Sequence, residues 1–138
     1  MSARDKFHGI VRIALEKDGW TITADPLHLS FGGVDMYIDL AAERLIAAEK
    51  DGQTIAVEIK SFLGSSTISD FHLAIGQFIN YRTILTIQEP YRTLYLAIPE
   101  EAYNGFFKLE FAQTIIQSQN LKLIVYDPEK GVIFQWKN

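Results

Sequence analysis

Cysteine is absent from this 138-residue chain, so neither a disulfide framework nor thiolate-bound zinc is available, and any metal has to bind through oxygen or histidine. No stretch reaches the roughly 18 to 20 apolar residues of a membrane helix. The opening Met1-Ser-Ala-Arg-Asp-Lys has no apolar segment behind its charges, and a soluble, untargeted, cytoplasmic protein is expected. Positive charge is also scarce: 13 Lys and Arg stand against 17 Asp and Glu, for a net charge of -4. That balance argues against strong non-specific binding to nucleic acid, which depends on counterion release by clustered cations. Local patches and basic partners are not excluded by it. The three histidines, His8, His28 and His72, are scattered without paired metal-ligand spacing, and no role is assigned to them.

What is present is apolar material, 48% of the residues with 12% aromatic, enough to bury one continuous core, and a single domain over 1–138 is expected. Phe7, Ile10, Val11, Ala14 and Leu15 fall at helical spacing over residues 3–18, with Ser2 and Asp5 as an N-cap pair and Gly19 as the stop. From Trp20 the period becomes two. Trp20 to Thr23 and Leu27 to Phe31 read as a strand and its extension, and Gly32-Gly33 marks a bend. Residues 34–42 alternate again, which puts Met36, Ile38 and Leu40 on one face and Asp35, Tyr37 and Asp39 on the other. Leu45 to Glu49 and Thr54 to Lys60 flank an Asp51-Gly52 hairpin signal.

A long helix is expected over about 69–87, with Phe71, Ala74, Ile75, Phe78, Arg82 and Leu85 along one side and Pro90 beyond its end. A strand from Arg92 to Ile98 follows, then a broken helix to about Ser118, then a hairpin of Leu121 to Tyr126 and Val132 to Trp136. The fold class is therefore α/β (α+β): a helix, a mixed sheet with three or four strands in an antiparallel meander, a helix, a strand, a further helix and a C-terminal hairpin.

One strand carries chemistry. Ile55, Val57 and Ile59 point one way, so Glu58 and Lys60 share the opposite face. A charged pair on an otherwise apolar strand is costly unless it is paired or binds a metal. Asp39 on a neighbouring strand supplies a second acid. Two carboxylates can hold one Mg²⁺ or Mn²⁺ through oxygen, with the Ile59 carbonyl as a further ligand, leaving places for water and a phosphate oxygen. Lys60 beside them can orient or help deprotonate an attacking water and offset phosphoryl charge, a pattern that suits phosphodiester hydrolysis. Asp35, Glu49 and Asp51 compete with Asp39 for the role of first acid; Asp39 is preferred, Asp51 belonging to the turn and Asp35 to the Gly32-Gly33 bend.

The element order, with Ile38-Asp39-Leu40 on one strand and Val57-Glu58-Ile59-Lys60-Ser61 on the next, resembles the core of the PD-(D/E)XK nuclease superfamily, with Ile38 standing where that motif has proline. Gln77-x-x-x-Tyr81 is similar to the Gln-x-x-x-Tyr element of its RecB-like and resolvase-like branches. Its i, i+4 spacing puts an amide and a phenol on one helical face, able to steady a metal site or a nucleotide. Glu16 resembles the helix-borne acid that some members add. The remaining cations, Arg4, Lys6, Arg12, Arg82 and Arg92, read as a solvated face or as phosphate contacts. Trp20 and Trp136 are expected in the core or an interface, and Phe106-Phe107 in the core or at a self-association surface.

A broader resemblance covers essentially the whole chain. Ala3-Arg-Asp-Lys-Phe-His8, Leu45-Ile-Ala-Ala-Glu49-Lys50, Ala56-Val-Glu-Ile-Lys60-Ser61-Phe62, Gly76-Gln77-Phe78 and Val132-Ile-Phe-Gln-Trp136 look like the XisH family, named for control of excision of the fdxN element, a developmental DNA rearrangement in nitrogen-fixing bacteria. The resemblance implies a factor working alongside a site-specific recombinase and a small companion excision controlling protein, on a nuclease-like core. Two functions follow: a Mg²⁺-dependent DNA nuclease, or a non-catalytic accessory subunit acting through protein contacts.

Overall fold

The computed structural model describes residues 3–44 and 52–138, with side chains from residue 6 onward. The expected 45–49 strand, the candidate acids Glu49 and Asp51, the residue Ser2 and the side chains of Arg4 and Asp5 lie outside the described residues.

Helix α1 (Ala3–Lys17) precedes β1 (Thr21–Ala24), β2 (Leu27–Phe31), β3 (Val34–Ile38), β4 (Leu40–Arg44) and β5 (Gln53–Ile59). After these come α2 (Thr67–Gln88), β6 (Arg92–Pro99), α3 (Glu100–Asn104), a 3₁₀ turn (Phe106–Lys108), α4 (Glu110–Ser118), β7 (Leu123–Asp127) and β8 (Val132–Lys137). Six strands form a mixed sheet in the order β1-β4-β5-β6-β7-β8. The β5/β6 and β6/β7 pairs are parallel, and the three others are antiparallel. Parallel neighbours need a crossover, which α2 supplies between β5 and β6, and the α3 to α4 segment between β6 and β7. The antiparallel meander is thus β1-β4-β5, and β2 and β3 pair only with each other as a separate hairpin.

Strand alternation divides the core in two. Leu94, Leu96 and Ile98 of β6 and Leu123 and Val125 of β7 pack with Phe71, Ala74, Phe78 and Leu85 of α2 and with Phe107 and Ala112. Their neighbours Tyr95, Ala97, Ile124 and Tyr126 face the other way, onto Val11 and Leu15 of α1. Helices therefore cover both faces of the central strands, as parallel strands require. Phe71 meets Phe106 and Phe107 with ring centroids 5.2 and 5.4 Å away, which assigns that pair to packing within the chain. Trp20 is buried, and its ring lies 5.6 Å from that of Trp136.

Helix α2 begins where the Ser66 hydroxyl accepts from the Ser69 N–H, and its last turn is closed by the Glu89 N–H on the Leu85 carbonyl, just before Pro90. Its length and direction place Gln77 and Tyr81 beside the end of β5.

Residues 34–42 are not one strand. The ladder breaks at Asp39, and Ile38 packs on the α2 side while Leu40 packs on the α1 side. The expected common face of Met36, Ile38 and Leu40 therefore does not exist, because the chain leaves the β2/β3 hairpin and enters the main sheet at this residue. The hairpin itself is two-faced: Leu27, Leu29, Met36 and Ile38 join the core, whereas His28, Ser30, Asp35 and Tyr37 face outward. The Gln88 side-chain amide donates to the Ser30 carbonyl (2.8 Å) and ties the hairpin to the end of α2.

Candidate active site

Asp39 and Glu58 are the only buried charged or polar residues among the described residues, 8% and 5% exposed. Each carboxylate grips the other's strand. Glu58 Oε1 accepts from the Asp39 N–H (3.3 Å), and Asp39 Oδ2 accepts from the Ile59 N–H (2.7 Å). The break at Asp39 makes this exchange geometrically available, since in a continuous ladder both N–H groups would be committed to backbone carbonyls.

Lys60 follows the last residue of β5, and its Nζ lies 3.3 Å from Glu58 Oε2. The Lys60 backbone is fixed from both sides. Its N–H donates to the Ala97 carbonyl (3.0 Å), and its own carbonyl accepts from the buried Tyr126 hydroxyl (3.4 Å). Burial keeps that hydroxyl in its protonated, donating form by raising its pKa.

These groups line a cavity of about 290 Å³ together with Phe7, His8, Tyr37, Ser61, Gln77 and Tyr81. It opens at the C-terminal end of β5, beyond the carboxyl end of a parallel strand, where α/β sheets commonly bind ligands. Asp39, Glu58, Ile59, Lys60, Gln77 and Tyr81 are thus brought together. The Gln77 Oε1 atom is buried without a hydrogen-bond partner among the described residues.

Glu16 is exposed and does not line the cavity. It lies eight residues along α1 from His8, about 12 Å at 1.5 Å per residue. Asp35 is exposed too and bonds His28 (2.8 Å) on the outer face of the hairpin.

His8, given no role from the sequence, stands next to the acid pair. Its Nδ1 is 3.9 Å from Asp39 Oδ1, and its Nε2 is 2.7 Å from Asp25 Oδ1, while Asp25 in turn accepts from Arg12 (2.5 Å). An isolated histidine carries no spacing signal, and only the chain break that delivers Asp39 under α1 creates the contact.

Other expected phosphate contacts are engaged within the chain. Arg82 donates to the Gln119 carbonyl (2.5 Å) at the end of α4, and Arg92 donates to Glu89 (2.8 Å) and to the Ile55 carbonyl (3.0 Å).

Burial, reinforced by the charge of Asp39 and opposed by Lys60, pushes the Glu58 carboxyl up from 4.5 to about 7. Two ionised acids outweigh one ammonium, and a divalent cation bound there would turn the net charge of the three groups positive, which suits a phosphate ligand. Among the described residues no group of three or more His, Asp or Glu side chains is arranged to hold a metal. The donor set is a carboxylate pair with backbone oxygen nearby. This fits Mg²⁺, which keeps several waters and takes one or two carboxylates, better than it fits a full protein cage.

Fold and site together define a mixed α/β protein with a buried carboxylate pair and a lysine at the end of a central strand. The XisH protein family model matches residues 1–134, and the chain belongs to the XisH family. A crystal structure of an XisH family protein from Nostoc punctiforme PCC 73102 is 53% identical, with a TM-score of 0.90 over 97% of this chain and 100% of that one. The crystal structure of an fdxN element excision controlling factor protein from Anabaena variabilis is 54% identical, with a TM-score of 0.88 over 98% of this chain and 100% of that one. No curated protein matches. Among the described residues no helix is long and apolar enough to cross a membrane.

Proposed function

We propose that this chain takes part in excision of a DNA element as a metal-dependent phosphodiesterase on a PD-(D/E)XK nuclease-like core, with Asp39, Glu58 and Lys60 as its catalytic set. The observation that carries the reading is the reciprocal clasp of Asp39 and Glu58 across two strands with Lys60 against Glu58: a buried acid pair is costly to maintain and is justified by a ligand. Asp39, Glu58 and the Ile59 carbonyl are the groups that would hold Mg²⁺ or Mn²⁺. A divalent cation bound there neutralises the charge that develops on a phosphodiester during hydrolysis. Lys60 orients the attacking water and donates to a phosphate oxygen. Gln77 and Tyr81 line the wall where a nucleotide would lie, and the buried Gln77 Oε1 is an acceptor available to it. The family relationship supports an excision role, and the proposal places it in the cytoplasm beside a site-specific recombinase and a companion excision controlling protein.

A second reading, a non-catalytic regulatory subunit, is favoured by the net charge of -4 and by arginines spent on Asp25, on the end of α4 and on Glu89. Incubation of supercoiled and branched DNA with Mg²⁺ or Mn²⁺ separates the two. Cleavage by the wild type that is lost in Asp39→Asn and Lys60→Ala supports the nuclease. Equal residual activity in all three proteins overturns it.

A further inference from the structure

On the outer face of the β2/β3 hairpin, His28 and Tyr37 are cross-strand partners whose rings stack, with centroids 4.9 Å apart and planes 19° from parallel. The imidazole is held in place by Asp35 at 2.8 Å from its Nε2, and that hydrogen bond keeps the Asp35 carboxyl below its ordinary value. His28 covers one side of the Tyr37 ring. The residue is nevertheless 56% exposed, and it lines the cavity that holds Asp39, Glu58 and Lys60. Phe7 and Tyr81, the other aromatic rings of that cavity, are half-buried in the two cores. The stack on His28 steadies the hairpin and fixes the orientation of the Tyr37 ring, and an aromatic face left half open beside a polar cavity suits a flat partner.

We infer that Tyr37, backed by His28, is a stacking platform for one unpaired base of a DNA strand whose phosphodiester lies at the Asp39/Glu58/Lys60 cavity. The inference rests on the phosphodiesterase reading and adds the substrate class: single-stranded or locally unpaired DNA. Tyr37 and Asp39 line the same cavity and are two residues apart, so even across the bend at Asp39 their Cα atoms lie at most about 7 Å from each other. That is the scale separating a phosphate from the base of its own nucleotide. Charge weighs against a duplex more than against a single strand, which depends less on counterion release. With a net charge of -4 and Arg12, Arg82 and Arg92 engaged internally, the chain has little counterion release to offer a duplex. Stacking on an aromatic face supplies affinity that needs no phosphate neutralisation, and it is open only to bases that have left the helix.

The test uses 12-residue DNA strands carrying 2-aminopurine, single or annealed, with Ca²⁺ in place of Mg²⁺. Fluorescence quenching and anisotropy are read for the wild type, Tyr37→Phe and Tyr37→Leu, and melting curves establish that each variant is folded. The expected result is quenching with the single strand, weaker binding of the duplex, unchanged affinity in Tyr37→Phe, and about tenfold weaker binding in Tyr37→Leu. Equal binding of single strand and duplex, or a folded Tyr37→Leu that binds like the wild type, overturns the platform. An RNA strand of the same sequence binding more tightly than the DNA overturns the assignment of the strand as DNA. Plasmid cleavage by the wild type and its loss in Asp39→Asn are scored separately. A failed platform with intact cleavage leaves the phosphodiesterase standing, and quenching without cleavage leaves the platform as a binding site.

Discussion

Asp39 and Glu58 each satisfy a backbone N–H on the other's strand, at 2.7 Å to Ile59 and 3.3 Å to Asp39, so the two acids are structural fasteners as well as candidate ligands. A substitution at either position therefore has to be judged on two scales, fold and function, and conservative amide replacements separate them.

Asp39→Asn retains an oxygen that accepts from the Ile59 N–H while removing the charge beside Glu58. The variant is expected to fold, with the Glu58 pKa falling below about 7 but staying above its ordinary 4.5, because burial, the larger cause of the rise, remains while the charge of Asp39 is removed. Carbon-detected NMR titration of the Glu58 carboxyl reads this shift. Cleavage is expected to drop by on the order of 100-fold or more.

Glu58 also makes stability depend on pH. Its folded value of about 7 lies above its ordinary 4.5, so its favourable contribution is complete below about pH 4.5 and is lost as pH rises to about 7. At about 1.4 kcal/mol per pH unit, this loss is on the order of 3 kcal/mol. Urea melts of wild type and Glu58→Gln between pH 4.5 and 8 are expected to diverge, with the wild type losing stability and the glutamine variant nearly flat over that contribution.

On the proposed reading, metal and proton compete for the same carboxylate oxygen atoms. Mg²⁺ or Mn²⁺ is expected to raise the melting temperature at pH 8, and its apparent affinity is expected to weaken about tenfold per pH unit below pH 7. Lys60→Ala removes the ammonium that lies 3.3 Å from Glu58. At pH 8.5 it is expected to bind Mn²⁺ at least as tightly as the wild type in calorimetry while cleaving far more slowly, a divergence that distinguishes a group acting on water from a merely structural one.

Phe107 is fully buried against Phe71 and Phe62, and Phe107→Ala is expected to cost about 3 to 5 kcal/mol in denaturant unfolding. Leu73 on the outer side of α2 is 58% exposed, and Leu73→Ser is expected to change stability by no more than about 0.5 kcal/mol.

Much of this arrangement is readable from spacing. Ile55, Val57 and Ile59 announce the face of β5 that packs toward α1, and the i, i+4 pair Gln77 and Tyr81 announces one face of α2, because both patterns follow from regular backbone geometry. Asp39 is different. Its alternation with Met36, Ile38 and Leu40 reads as a continuous strand, yet Ile38 and Leu40 enter opposite cores because the chain changes sheets there. Period-two patterning cannot reveal such a change, since each half alternates correctly alone. His8 was hidden for a related reason: its neighbours Asp25 and Asp39 come from separate elements, 17 and 31 positions away. Glu16 shows the converse, an acid on the right helix but about two turns too far along it.

The β2/β3 hairpin shares no ladder with the six-stranded sheet. Residues added to or removed from its two arms in step would leave every register that fixes Asp39, Glu58 and Lys60 untouched. On the reading proposed above, the outer face of this hairpin is the part that evolution or engineering can vary at Tyr37 while its inner face, Leu29 and Ile38, and the backbone bonds that hold Asp39 and Glu58 stay in place.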